Sequence, residues 1–266
     1  MHSTLTALID RLDNPRIAEA DVIAWGSPVP SFGDLSVAKV ATLGLNPSRR
    51  EFVDASGTEL SGPLRRFHTL NSLGLVSWPE ADCRHLQAIL DSCKHYFARN
   101  PYRGWFAKLE QVISGTSASY FDPTSPACHL DLVPYATGRK WAELSLQQRS
   151  SLISATADTL GALMRDSPLQ LLILNGKSVV DLFQQVASVK LSKNPVEDWS
   201  LSRHSGHPVA GYAFRGSARS IGGIDLGREM AVVGFNHNLQ SSYGVTAEVT
   251  SSIRSWVSRA AAETLQ

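Results

Sequence analysis

The sequence predicts an α/β protein, a three-layer α/β/α sandwich around a central, mainly parallel four-stranded sheet. Three observations lead there. Apolar runs of strand length recur at Val37–Leu43, Cys128–Val133, Leu169–Leu174 and Met230–Phe235. Each run is apolar at nearly every position rather than at alternate ones, which fits strands buried on both faces. Helical patterns fall between the runs, as parallel strands joined by crossover helices require.

The elements follow in order. Leu5 to Leu12 reads as a short lead-in helix, followed by a stretch rich in Pro and Gly (Gly26, Pro28, Pro30, Gly33) before the first strand. Residues 1–36 are therefore expected to be an N-terminal extension. Helical patterns cover Leu64–Leu73, Ala81–Phe97 and Trp105–Ile113. Ser145 and Gln148 form a capping box ahead of a long helix reaching about Arg165. The third strand runs into Asn175-Gly176-Lys177 and a helix ending near Val189. Two β-like segments, Val209–Phe214 and Ile221–Leu226, make residues 190–228 a hairpin-like insertion. A last helix spans Thr246 to Ala262. The whole chain, 1–266, is expected to be one domain.

Composition narrows the class. With 43% apolar residues the chain can bury a sizeable core, and no window is long or apolar enough for a membrane span. The N-terminus lacks a charged n-region followed by an apolar stretch, so no signal peptide is expected. Three cysteines suit a reducing compartment better than a disulfide framework, and a cytoplasmic monomer is expected. Net charge is +1, which leaves open a local nucleic-acid face. Between Trp199 and Ile224 there is no Asp or Glu, while Arg203, Arg215 and Arg219 appear with His204, His207, Tyr212 and Phe214. That stretch reads either as a phosphate-tracking surface or as a solvated hairpin.

Gly44-Leu45-Asn46-Pro47-Ser48 follows the first strand directly. Ligand-binding groups in open α/β sheets gather beyond the carboxyl ends of strands. Gly permits a sharp exit, Pro stiffens it, and an Asn there can orient a water through its carbonyl while its NH₂ is anchored elsewhere. The competing reading is a plain turn, which the same residue types favour. Three further strand ends carry polar groups: Asp131 with Pro134, Asn175-Gly176-Lys177, and His237 within Asn236–Ser242.

On these residues the chain resembles the uracil-DNA glycosylase superfamily, especially its mismatch-specific and single-strand-selective branches, over most of the sequence after about residue 37. Gly44–Ser48 matches the family's first motif, Leu172–Phe183 its third strand and Gly-Lys helix start, and Asn236–Ser242 its last loop less closely. The resemblance implies a DNA partner, base flipping into a pocket and cofactor-free hydrolysis of the glycosidic bond. It implies that Asn46 holds the attacking water and that His237 donates to the base oxygen where charge develops. It also implies substrate contacts from Gly44, Leu45, Pro47, Ser48, Asp131, Phe52 and Asn238. DNA contacts are expected from Lys177, Arg203, Arg215, Arg219, Leu239, Gln240 and Ser241.

Departures from the family pattern bear on substrate. Asn238 and Leu239 replace a Pro and a Ser, and Leu239 or Gln240 is the expected wedge into the vacated stack. Ser48 stands where uracil-specific relatives carry a bulky Tyr, leaving room at pyrimidine carbon 5. Asp131 stands where several relatives place an Asn. A carboxylate only accepts, so it matches the exocyclic amine of cytosine and repels the O4 of uracil. The implied substrate is a 5-substituted cytosine, for example the glucosylated hydroxymethylcytosine of some phage DNAs. The alternatives are a uracil or mismatch repair glycosylase and an inactive DNA-binding member of the fold. The base-stacking aromatic expected past the first motif is absent, with Phe52, Phe67 and Trp105 as substitutes. Cys83-x-His85 and Cys93-x-His95 do not read as a metal site, because residues two apart on a helix point in different directions.

Overall fold

In the computed structural model, which describes residues 1–202, 208–240 and 242–265, the chain is an α/β protein with one six-stranded mixed sheet. The strands are β1 (Val40–Gly44), β2 (Ala127–Asp131), β3 (Leu171–Asn175), β4 (Ser192–Leu201), β5 (Val209–Ile221) and β6 (Ile224–Phe235), in spatial order β2-β1-β3-β6-β5-β4. The first four in that order run parallel, while β5 and β4 add antiparallel strands beyond β6.

The expected sheet of four strands is therefore corrected to six. Residues 190–228 join the sheet, where β4 and β5 pair antiparallel at one edge. β4, missed in the sequence because its surface is mostly polar (Ser192-Lys193-Asn194-Pro195), pairs with β5 as an edge strand. Pro195 is tolerated there because an edge strand has one unpaired side. The last strand begins at Ile224, six residues before the apolar run, because Gly222 and Gly223 turn the chain directly from β5 into β6.

The helices are α1 (His2–Arg11), α2 (Pro15–Ala18), α3 (Leu70–Leu73), α4 (Cys83–Lys94), α5 (Arg103–Ile113), α6 (Leu146–Arg165), α7 (Lys177–Ala187) and α8 (Ala247–Thr264). Alternation along the strands divides the core. Leu172 and Leu174 pack with residues of α1, α6 and α7, whereas Leu171 and Ile173 pack with residues of α5 and α8. The helix expected over Leu64–Leu73 reduces to the four residues of α3. Thr69 forms a capping box with Ser72 and starts the helix there, and Gly74 in the left-handed region stops it.

The N-terminal segment is built into the fold. Phe32 exchanges both backbone hydrogen bonds with His129 at 2.9 Å, which covers the open edge of β2. Arg11 of α1 makes a bidentate pair with Asp158 of α6, and Tyr135 donates its hydroxyl proton to the Leu8 carbonyl at 2.7 Å. Among the described residues, no helix is long and apolar enough to cross a membrane.

Candidate functional site at the strand ends

The carboxyl ends of β1 and β2 lie in register, Gly44 opposite Asp131 and Thr42 opposite His129. Period-2 alternation puts Thr42, Gly44, His129 and Asp131 on one face, the face covered by α5. A buried chain of polar groups follows. Tyr120 Oη lies 2.5 Å from Thr42 Oγ1, which lies 2.6 Å from His129 Nδ1, and His129 Nε2 is 3.4 Å from Asp131 Oδ1. A carboxylate beside Nε2 favours the tautomer that holds its proton there, leaving Nδ1 to accept from Thr42. Phe32 and Phe106 fix the imidazole by edge contacts with ring centroids 5.3 Å away.

Asp131 has a side chain only 3% exposed and accepts no hydrogen bond among the described residues. Buried carboxylates are normally hydrogen-bonded, because an ionised group without partners loses its solvation. Its Oδ1 occupies the space above Gly44. A Cβ built on Gly44 would fall 2.4 Å from it and 2.9 Å from His129 Nε2. The glycine of the first motif is thus required by a side chain of the second strand.

Asn46 is half-buried in the loop after β1. Its NH₂ donates to the Thr137 hydroxyl at 3.0 Å and to the carbonyls of Pro47 and Tyr135 at 3.2 and 3.4 Å. Thr137 spends its own proton on the Arg139 carbonyl at 2.7 Å, so it presents a lone pair to Asn46 and fixes the amide orientation. Oδ1 of Asn46 receives no hydrogen bond among the described residues, the arrangement that orienting a water requires. Ser48 is exposed, and its hydroxyl accepts from Arg50 N at 3.2 Å, capping a short helical turn. Pro47 is buried in the same turn, and Leu45 packs against the core.

That turn carries Glu51, a residue the sequence reading passed over. It is 2% exposed, accepts from Tyr96 Oη at 2.9 Å and lies 3.9 Å from the Arg66 guanidinium. Burial raises its carboxyl to about 7, opposed by Arg66 and Tyr96 and reinforced by the charge of Asp131. His129 was missed as well, since an isolated histidine within an apolar run carries no sign of its neighbours. Sequence could have raised Glu51 only as an acid five residues past Asn46.

The other expected residues are distributed differently. His237 is buried, with Nε2 2.6 Å from the Trp199 carbonyl of β4. A carbonyl accepts only, so the Nε2 proton is committed to it. His237 follows β6, and β1 and β3 stand between β6 and the β2 strand of Asp131, a lateral separation of about 14 Å. Leu239 is 2% exposed and packs with the core rather than facing solvent. Gln240 accepts from Asn175 Nδ2 at 2.6 Å, and its own buried Nε2 has no hydrogen-bond partner among the described residues. Asn238 accepts from Gln240 N at 3.0 Å, and a Cβ added to Gly176 would fall 3.0 Å from the Asn238 Cβ. Phe52 is buried against Phe67 and Trp25, a core position.

Three of the four expected DNA cations face acids. Lys177 pairs with Asp181, Arg215 with Glu263, and Arg219 lies 3.9 Å from Asp225. Arg215 thus meets an acid of α8, and Arg219 lies near one just past the acid-free stretch. Arg203, His204, His207 and Ser241 lie outside the described residues. Cys83 is exposed and Cys93 buried, and no group of His, Cys, Asp or Glu suited to a metal occurs among the described residues.

Two open concavities occur elsewhere. One of about 630 Å³ is lined by Asp198, Glu248, Ser252 and Arg259 among others, and one of about 620 Å³ by residues of α1 and the turn to Pro15. Neither is lined by Asn46, Asp131 or His237. No protein-family model and no curated protein matches the chain.

Proposed function

We propose that the protein is a DNA glycosylase of the uracil-DNA glycosylase type, a three-layer sandwich that hydrolyses the bond between deoxyribose and a 5-substituted cytosine. The observation that carries this reading is the pair of acceptors at adjacent strand ends, the Asn46 carbonyl and the Asp131 carboxylate, neither of which accepts a hydrogen bond among the described residues. Asn46 Oδ1 accepts a hydrogen bond from the attacking water and aims its lone pair at the anomeric carbon, and the proton this water sheds ends on the departing base. An oxocarbenium-like sugar needs little more activation, because the departing base carries the charge. Asp131 accepts from the cytosine amine. His129 and the hydroxyls beneath it keep that carboxylate in place. The reaction adds water across the C–N bond, leaves an abasic site and requires no cofactor.

His237 takes part only after exchanging its bond to Trp199, since Nε2 points at that carbonyl. The same motion frees Leu239 from the core. Admission of a flipped base therefore requires the loop after β6 to open on DNA. That loop favours a second reading, a DNA-binding protein of the same fold without catalysis, because the histidine is tied back and Leu239 is buried.

The test is incubation with duplex and single-stranded oligonucleotides carrying cytosine, 5-hydroxymethylcytosine, its glucosylated form or uracil, followed by alkaline cleavage at abasic sites. The proposal expects cleavage at 5-substituted cytosine above uracil. Binding without abasic product supports the second reading, and cleavage at uracil alone supports a repair glycosylase.

A further inference from the structure

Three separate segments, Arg49–Glu51, Leu64–His68 and Tyr96–Trp105, are stitched into one surface. Arg66 donates from Nη1 to the Arg50 carbonyl at 2.6 Å and from Nε to the Asn100 carbonyl at 2.8 Å. Asn100 Nδ2 donates to the Leu64 carbonyl at 2.8 Å. Arg66 is turned inward, over the Tyr102 ring with 5.3 Å to its centroid and toward Glu51. The outer cations are Arg49, Arg50, Arg99 and Arg103, all exposed, with Arg65 half-buried among them. Among the described residues none of these five forms an ion pair with a carboxylate. Arg103 instead lies over the Phe121 ring, 5.0 Å from its centroid.

The nearby acids are already engaged. Asp54 accepts from Ser56 and Thr58, Glu59 from Thr69, and Asp34 pairs with Lys94. From Ser92 to Leu109 the chain holds no Asp or Glu. The field of Arg65 and Arg99 is felt by His68, which burial first and those two charges next hold neutral with a pKa of about 4. Like charges held together on a surface repel, and an anionic partner relieves that repulsion. Trp105, 38% exposed, adds a ring at the same surface.

We propose that this arginine face, rather than the β5 face, grips the DNA backbone, with Trp105 stacking on an unpaired base beside it. The inference rests on the glycosylase reading for the kind of nucleic acid. It follows from position: the turn that carries Arg49 and Arg50 begins at Ser48, two residues past Asn46, and Glu51 within it feels the charge of Asp131. Phosphates on this face therefore flank the acceptors that would receive the base.

The experiment is fluorescence anisotropy of labelled duplex and single-stranded oligonucleotides against the full chain across a salt series. Arg49→Gln/Arg99→Gln is compared with Arg215→Gln/Arg219→Gln, and circular dichroism checks the fold of each. Loss of two phosphate contacts lowers the slope of log K against log salt by about 2 in magnitude for the first pair. The second pair is expected to keep the parent slope. Trp105→Ala weakens single-stranded binding about tenfold with the slope unchanged. A parent slope in Arg49→Gln/Arg99→Gln, together with intact binding and excision, overturns this surface and leaves the glycosylase reading standing. A parent protein that binds no DNA at any salt overturns both.

Discussion

Gly44 and Asp131 occupy one space: the carboxylate Oδ1 sits 2.4 Å from where a Cβ on the glycine would be. The first motif and the second strand are thus a single device, a backbone cleared of its side chain so that a buried acid can cross it. The acid lies 3.4 Å from His129 Nε2 and accepts no hydrogen bond among the described residues.

Gly44→Ala is expected to fold with a loss of about 1–3 kcal/mol from overpacking and to displace the carboxylate. Denaturant unfolding gives the stability. Excision falls more than DNA affinity does if the displaced group reads the base, and equal losses in both would place Asp131 outside the site.

Asp131→Asn tests how the base is read. Replacing a pure acceptor by an amide that both donates and accepts is expected to shift relative excision from cytosine-type toward uracil-type bases by tenfold or more. Competition between the two labelled substrates in one reaction measures it. An unchanged ratio removes Asp131 from recognition.

Glu51→Gln tests how a buried acid sets the pH dependence of stability. Its folded carboxyl is raised to about 7 from 4.5, so the protonated form is the one the fold prefers. The stability it contributes is present in full below pH 4.5 and is lost as the pH rises through 7. The loss in the parent protein amounts to about 3 kcal/mol. Gln, always neutral, abolishes this segment of the pH dependence, and the variant is the more stable of the two at pH above 7. Urea midpoints across the pH range report the difference, and parallel curves for parent and variant would contradict it.

His237→Ala examines the tied loop. Removing the imidazole deletes the 2.6 Å bond to Trp199 and leaves that carbonyl buried, a loss of about 1–3 kcal/mol. If His237 also stabilises the leaving base, single-turnover excision drops about 10²-fold or more. Loss of stability with full excision would confine the residue to packing.

The parallel strands were legible because each is apolar at almost every position, and the α6 capping box because Ser145 and Gln148 announce it. β4 was not, since an edge strand needs few apolar residues and its pairing with β5 is long-range. At the site, Asn46 and Asp131 were visible as polar groups ending apolar runs. Glu51 and His129 were invisible because what distinguishes them is burial beside partners 45 and 87 positions away, Tyr96 and Thr42. The charge pattern was incomplete for the same reason. Arg215 and Arg219 stand in an acid-free stretch yet meet Glu263 and Asp225 in space, while Arg49 and Arg50 sit beside acids that are otherwise engaged.

The most direct measurement is mass spectrometry of bases released from DNA containing glucosylated hydroxymethylcytosine, using the parent protein and Asn46→Ala side by side. The account predicts an intact modified base and an abasic strand from the parent, and at least a hundredfold less of both from Asn46→Ala at equal DNA affinity. Release of no base from any modified or unmodified DNA, or equal release by the two proteins, would contradict it.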